Sequence, residues 1–134
     1  METKVIEEKA REFAGLISSV LAPLNQNPKF KENFKKIQRK YLINASNLNY
    51  AALVKIDNGR LTVQSVANKP KSNLKKKVTG WDSSISMDSQ IFLALAMDKI
   101  SKAKVGLKVI SGKVKLKGFR KLPTLLKLFE ILKE

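Results

Sequence analysis

The spacing of apolar residues predicts two helices at the start of the chain. Over residues 3–22, apolar side chains recur three and four positions apart, which is the period of a helix with one buried face. The stripe consists of Ile6, Ala10, Phe13, Ile17, Val20 and Leu24. A stretch rich in Asn and Pro at 23–28 ends this helix. A second helix is predicted over 29–40, with an apolar side of Phe30, Phe34 and Ile37.

The apolar period then becomes two, which predicts strands. Residues 48–56 alternate as a half-buried strand, with Leu48, Tyr50, Ala52, Val54 and Ile56 inward. Asn58-Gly59 predicts a tight hairpin, and the return strand over 60–66 places Leu61 and Val63 inward. A further strand is predicted over 78–87, with one face of Trp81, Ser83, Ile85 and Met87. Another is predicted over 113–117, where lysines alternate with apolar residues.

The late helices carry more apolar surface than one docking face needs. Asp88 is a good helix cap, and the helix predicted over 89–100 is apolar nearly all round. A short amphipathic segment at 103–110 follows it. The last helix is predicted over 122–133, with a stripe of Leu122, Leu125, Leu126, Phe129 and Leu132 and with Leu128 and Ile131 outside it.

This order of elements predicts an α+β fold in which helices cover one face of a mostly antiparallel, five-stranded sheet. The sequence contains no internal repeat and no boundary signal. We therefore expect one domain over 1–134, with N-terminal helices in 1–40 and the sheet and C-terminal helices in 41–134.

Composition narrows the function. The 134 residues include no His and no Cys, which removes the commonest general base, thiol nucleophiles and the usual zinc ligands. We therefore expect no catalytic residue, no metal site and no cofactor, and a protein that is not an enzyme. The acidic N-terminus and the absence of a long apolar run predict a cytoplasmic protein.

The chain is strongly basic, with 27 Lys and Arg against 11 Asp and Glu and a formal net charge of +16. Residues 1–30 are neutral overall, so the excess lies beyond them. Three interpretations stand: a solubilising surface, a field that attracts anionic membranes, and a non-specific nucleic-acid footprint. The predominance of Lys over Arg favours the first and disfavours the last.

The apolar surplus also has three interpretations. It can fill a tightly packed core, line a cavity for a hydrophobic ligand, or form an exposed face for dimerisation or membrane contact.

Two motifs and a helix follow one another in the last third of the chain. They are Asp88-Ser89-Gln90-Ile91-Phe92-Leu93-Ala94-Leu95, then Gly112-Lys113-Val114-Lys115-Leu116-Lys117-Gly118, and then a leucine-rich terminal helix. In this order they resemble the sterol carrier protein type 2 domain family, whose members are non-specific lipid-transfer proteins. Upstream, the Asn58-Gly59 hairpin fits the opening hairpin of that family.

The resemblance implies a lipid-binding or lipid-carrier protein that holds an acyl, sterol-like or isoprenoid chain in an apolar tunnel between sheet and helices. Its implied ligand contacts are Tyr50, Trp81, Phe92, Leu95, Met97, Val105, Val109, Leu125, Leu126 and Phe129. We expect contact with an anionic membrane or an anionic head group through Lys69, Lys71, Lys75, Lys76, Lys77, Lys99, Lys102 and Lys104. The alternatives are a basic accessory or dimerisation module and a non-specific nucleic-acid binder. The sequence leaves the oligomeric state open.

Overall fold

The computed structural model of the chain describes residues 6–7, 9–10, 12–96, 114–118, 120, 123–124, 127–128 and 131. The helices are α1 (Phe13–Leu21), α2 (Pro28–Phe34), α3 (Lys76–Thr79) and α4 (Ser89–Ala96), and 3₁₀ turns cover Ala22–Gln26 and Lys71–Leu74. The strands are β1 (Ile6–Glu7), β2 (Gln38–Ala45), β3 (Tyr50–Asp57), β4 (Arg60–Ala67), β5 (Ser83–Met87) and β6 (Val114–Lys117). Residues 123–124, 127–128 and 131 are helical.

The strands form one sheet in the order β1-β4-β3-β2-β5-β6. Neighbouring strands are antiparallel except β2 and β5, which are parallel. This arrangement confirms the predicted α+β class and the mostly antiparallel sheet, but the sheet has six strands instead of five.

The main core lies on one face of the sheet, which we call the helix face. There the inward side chains of β2, β3 and β4 pack against α1, α2, α4 and the C-terminal helical residues. Its members include Phe13, Ile17, Phe30, Phe34, Tyr41, Ile43, Val54, Ile56, Leu61, Val63, Phe92, Leu128 and Ile131. The inward positions predicted at Ala52, Val54 and Ile56 of β3 and at Leu61 and Val63 of β4 are thereby confirmed, whereas Tyr50 is half-buried and belongs to neither core.

A second, smaller core lies on the opposite face, which we call the outer face. Leu42, Ala51, Leu53 and Val66 are buried there, and Leu74 and Trp81 pack against them. The chain between β4 and β5 supplies this cover. The prediction that β3 is only half-buried is therefore wrong, because Ala51 and Leu53 are buried on the outer face while Ala52 and Val54 are buried on the helix face.

The two predicted N-terminal helices are both too long. α1 begins at Phe13, and Ile6 instead pairs with Val66 as part of β1. α2 ends at Phe34, and its start is fixed by Asn27, whose side-chain oxygen accepts from the backbone N–H groups of Lys29 and Phe30. Residues 38–40 of the predicted helix instead begin strand β2, which the sequence pattern did not predict.

The predicted strand over 78–87 is also shorter, because its first part is helical. Gly80 ends α3 with a φ of 73°, and the chain bends at Asp82 before β5 begins at Ser83. Trp81 therefore packs on the outer face, whereas Ile85 and Met87 belong to the main core. The prediction that these side chains share one face is wrong.

The remaining predictions have mixed outcomes. Asn58 and Gly59 both have positive φ, of 52° and 83°, which confirms the tight hairpin. Leu128 and Ile131, which the sequence places outside the stripe of the last helix, are 0% and 4% exposed, so the side of the helix that carries them is packed. The segment at 97–113 and all five residues of the predicted terminal stripe lie outside the described residues.

Side chains reinforce the parallel pairing of β2 with β5. The backbone N–H of Lys40 donates to Asp82 Oδ2 (2.8 Å), and Asn44 Nδ2 donates to Ser86 Oγ (3.0 Å). Asn47 Nδ2 donates to Ser89 Oγ, also at 3.0 Å. Each of these bonds joins residues 42 positions apart in the chain, so the register of the two strands is fixed at both ends and in the middle.

Candidate ligand-binding site

A trough of about 900 Å³ lies on the outer face, between the segment that follows β4 and the strands β5 and β6. Its volume falls in the range of small-molecule sites. Strand register places its floor: Asn44 lies beside Ser86, and Ser86 beside Lys115, while Ser84 lies beside Lys117. Because Ser84 and Ser86 are small, this part of the sheet face leaves space above it.

Part of the trough lining is apolar. It consists of Leu48, Leu74, Trp81 and Ile91. The indole Nε1 of Trp81 donates to the carbonyl oxygen of Leu74 at 2.9 Å, which satisfies its only polar group. Lys76 Nζ lies 5.7 Å from the centroid of the same ring, within reach of a cation–π interaction. Leu48 and Ile91 also pack against the main core, so the apolar lining adjoins the interior of the protein there.

The rim of the trough is basic. Its lining residues include the lysines Lys69, Lys71, Lys75, Lys76, Lys115 and Lys117, all exposed, and one acidic residue, Asp88. The Asp88 carboxylate accepts from the backbone N–H of Gln90 at 2.7 Å and so caps α4. Lysines from two opposite walls around a concave surface concentrate a positive field inside it.

Two buried amides and a hydroxyl form a chain of hydrogen bonds at the end of the trough. Asn68 Nδ2 donates to Asn44 Oδ1 (2.9 Å), to Leu48 O (2.9 Å) and to Ala45 O (3.3 Å). Asn44 Nδ2 in turn donates to Ser86 Oγ. Asn68 Oδ1 is buried and has no hydrogen-bond partner among the described residues. Among the described residues, the Ser86 hydroxyl has no acceptor for its own proton.

The trough collects part of the predicted site. Trp81 and four of the predicted lysines, at 69, 71, 75 and 76, line it. Lys77 is exposed on α3, outside the lining. Phe92 is buried in the main core on the helix face, so the structure does not bring it together with Trp81. Tyr50 is half-buried at the start of β3.

The other predicted positions lie outside what the structure describes. They are the side chain of Leu95 and the residues Met97, Lys99, Lys102, Lys104, Val105, Val109, Leu125, Leu126 and Phe129.

Sequence reasoning missed most of the residues that line the trough, among them Asn44, Asn68, Ser84, Ser86, Lys115 and Lys117. A signal was present in the strands. Ser84 and Ser86 flank the buried Ile85, and Lys115 and Lys117 flank Leu116, so both strands have one polar face. No sequence pattern showed that the two polar faces lie side by side.

The described residues contain neither a metal cluster nor a membrane span. No group of three or more His, Cys, Asp or Glu side chains could hold a metal ion in that part of the chain. Within the same residues, no helix has the length and apolarity needed to cross a membrane.

Comparison with known proteins identifies the fold. No protein-family model matches the chain, and no curated protein matches it in sequence. Among solved structures, a UbiJ-SCP2 ubiquinone synthesis protein superposes with a TM-score of 0.63 and 10% identity, covering 90% of this chain and 91% of the other. Sterol carrier protein 2 from Yarrowia lipolytica, in its apo form, gives 0.56 and 17%, covering 98% of both chains.

A third structure, the sec-alkylsulfatase Pisa1 from Pseudomonas sp., gives a TM-score of 0.54 and 18% identity. The match covers 75% of this chain but only 14% of the sulfatase. Two of the three structures match over nearly their whole length. The chain therefore has a sterol-carrier-protein-2-like fold, as the sequence resemblance predicted.

Proposed function

We propose that this chain, with its sterol-carrier-protein-2-like fold, is a lipid-binding or lipid-carrier protein. The fold neighbours support the proposal, because they include a sterol carrier protein and a protein of ubiquinone synthesis. The apolar chain of an acyl, sterol-like or isoprenoid ligand would lie on the helix face, in an apolar tunnel between the sheet and the late helices. Binding of this kind involves no catalytic step.

One observation carries this proposal beyond the fold. Leu128 and Ile131 are the described apolar residues of the C-terminal helical region, and both are buried in the main core. In the helix predicted over 122–133, the stripe that contains Leu125, Leu126 and Phe129 lies on a different side from these two residues. The last helix thus has a second apolar side besides the one that carries Leu128 and Ile131. We propose that a lipid chain packs against this second side.

The chain-length dependence of binding tests this function. We expect lipid to co-purify with the protein and to be detected by native mass spectrometry. Fatty acids of increasing length should displace a fluorescent fatty acid with a dissociation constant that falls about fourfold per added CH₂, since each buried CH₂ contributes about 0.8 kcal/mol. A folded protein that binds no acyl chain at micromolar concentration would contradict the proposal.

A matched pair of variants tests where the lipid chain binds. Leu126→Lys places a charge on the proposed tunnel wall and should abolish binding of the fluorescent fatty acid. Lys127→Gln alters the neighbouring exposed position and should leave the affinity unchanged. Circular dichroism of both variants separates a loss of binding from a loss of folding.

Transfer requires the protein to meet a membrane, and the lysines that follow β4 suit this step. Lys69, Lys71, Lys75, Lys76 and Lys77 are all exposed on one short segment. Each base near an anionic surface contributes about 1 kcal/mol of attraction. We expect transfer between vesicles to be faster when the vesicles contain anionic lipid, and the acceleration to disappear in high salt.

A further inference from the structure

We propose that the trough on the outer face is a binding site for a phosphate ester, separate from the lipid tunnel proposed on the helix face. The two sites lie on opposite sides of the sheet and are lined by different residues, so either can exist without the other.

Charge is the first argument. Six lysines converge on the trough from two walls, against one carboxylate that already caps a helix. Like charges held around one concavity repel each other, and an anion between them removes that cost. A phosphate monoester carries between about −1.5 and −2 charges at neutral pH and has three strong acceptor oxygens. It can therefore meet lysines of both walls at once, whereas a carboxylate has two oxygens and one charge.

The floor supplies the second argument. Ser84 and Ser86 face the trough from β5, and both are half-buried. Ser86 Oγ accepts from Asn44 Nδ2, and its own proton can be donated to a phosphate oxygen. The buried Asn68 amide holds Asn44 from below through its Nδ2 group. The floor thus offers hydroxyl donors beneath the cationic rim.

The third argument is the apolar part of the trough lining. The indole of Trp81 is half-buried and its N–H is satisfied by Leu74, so what remains for a ligand is ring surface. Leu74 packs against the same small core as Trp81, and Leu48 and Ile91 add apolar lining beyond the other end of β5. A ligand that carries both a phosphate group and carbon groups fits a lining that combines exposed lysines with apolar side chains.

Trp81 is the only tryptophan of the chain, so its fluorescence reports on the trough directly. The probe is glycerol 3-phosphate, titrated against sodium chloride of equal ionic strength. A parallel arm uses phosphatidylcholine vesicles with and without phosphatidic acid, which presents the same glycerol phosphate group on a lipid. A saturable change with glycerol 3-phosphate indicates a soluble ligand, and a saturable change only with phosphatidic acid vesicles indicates a lipid head group. Both results support the site.

Matched charge variants test whether binding depends on the lysines of the trough or only on the net charge of the protein. Lys115→Gln with Lys117→Gln removes two exposed rim lysines, and Lys31→Gln with Lys36→Gln removes two exposed lysines at α2 and the turn after it. The first pair should weaken binding about thirtyfold, at roughly 1 kcal/mol per base. The second pair should change it much less. Ser84→Leu fills the floor without changing the charge and should also abolish binding.

Three results would overturn the proposal. The first is a fluorescence change no larger than that produced by sodium chloride in both arms. The second is an equal loss of affinity in the two lysine pairs, which would mean that the net charge alone attracts the probe. The third is binding of a single-stranded oligonucleotide that depends on Lys115 and Lys117 while neither glycerol phosphate probe binds. Loss of chain-length dependence for fatty acids, by contrast, bears only on the lipid function.

Discussion

The rings of Phe13 and Phe92 meet edge to face, with centroids 5.6 Å apart and planes at 80°. This contact joins α1, near the start of the chain, to α4, which follows β5. Both rings are almost completely buried, at 2% and 1% exposed. The sequence resemblance assigned α4 to the wall of a ligand tunnel. Through Phe92, α4 also packs into the main core.

Truncating Phe92 should cost much stability. We expect Phe92→Ala to lower the free energy of unfolding by about 3–5 kcal/mol, because it removes a fully buried ring and leaves a cavity beside Phe13. Urea denaturation measures the change. Leu16→Ala is the control, since Leu16 is 38% exposed, and it should change stability by no more than about 0.5 kcal/mol. Equal effects of the two substitutions would show that Phe92 is not packed as described.

Asn68 should matter for stability as well as for the trough. Asn68→Ala removes a buried donor that serves Asn44 Oδ1, Leu48 O and Ala45 O, of which Ala45 O keeps the backbone N–H of Leu48 as a partner. We expect a loss of about 1–3 kcal/mol in the free energy of unfolding. Asn49→Ala is the control. It removes an exposed amide that accepts only from Lys69 at 3.3 Å among the described contacts, so its stability should change little. Thermal unfolding of the two variants measures the difference.

Two glycines with nearly the same backbone conformation should respond differently to alanine. Gly118 and Gly80 have φ of 75° and 73°, and the left-handed conformation alone costs an alanine roughly 1–2 kcal/mol. A Cβ at Gly118 would also collide with the carbonyl oxygen of Asp82, whereas the nearest atom at Gly80 is Lys40 Nζ at 3.5 Å. Gly118→Ala should therefore be clearly the more destabilising of the two in chemical denaturation. A similar loss in both variants would refute the close approach of β5 to Gly118.

Stability should fall at alkaline pH in a way that depends on Tyr41. Burial raises the pKa of the Tyr41 phenol above 10.0, and a hydrogen bond with Thr124 and the charge of Arg39 lower it in part. Because the folded state holds this proton more tightly than the unfolded chain, its contribution is complete below about pH 10 and is lost as pH rises through the folded pKa.

Tyr41→Phe removes the titrating group, so the free energy of unfolding should decline less between pH 9 and 12 than in the unmodified protein. Tyr50→Phe removes the other tyrosine of the chain and should keep the original decline. The two profiles can be measured by urea denaturation at each pH. If they coincide, Tyr41 does not account for the alkaline loss.

The parts of the fold that depend on local patterns followed from the sequence. The Asn58-Gly59 hairpin is an example, since both residues accept positive φ. The strand β2 did not follow, because Phe30, Phe34 and Ile37 continue a helical spacing up to its start and Tyr41-Leu42-Ile43 has no alternation. Those three residues are all apolar because the strand is buried on both faces.

The candidate site was predicted only in part for a related reason. The lysines after β4 and Trp81 form a basic, aromatic segment that is visible in the sequence. Ser84, Ser86, Lys115 and Lys117 join them only through the pairing of β5 with β6 and with β2. Which face of a sheet stays uncovered depends on the path of the chain between β4 and β5, and no residue pattern specifies that path.

The parallel pairing of β2 with β5 also sets the order in which the sheet can be completed during synthesis. β2, β3 and β4 are joined by short connections and can pair as soon as they emerge, but β2 must wait for a partner 42 residues further along. Closing so long a loop is slow compared with forming a hairpin. Until then β2 is an unprotected edge with the apolar run Tyr41-Leu42-Ile43 and no proline, the kind of edge that captures strands of other chains. The arrival of β5 thus ends the interval in which a nascent chain is most exposed to aggregation.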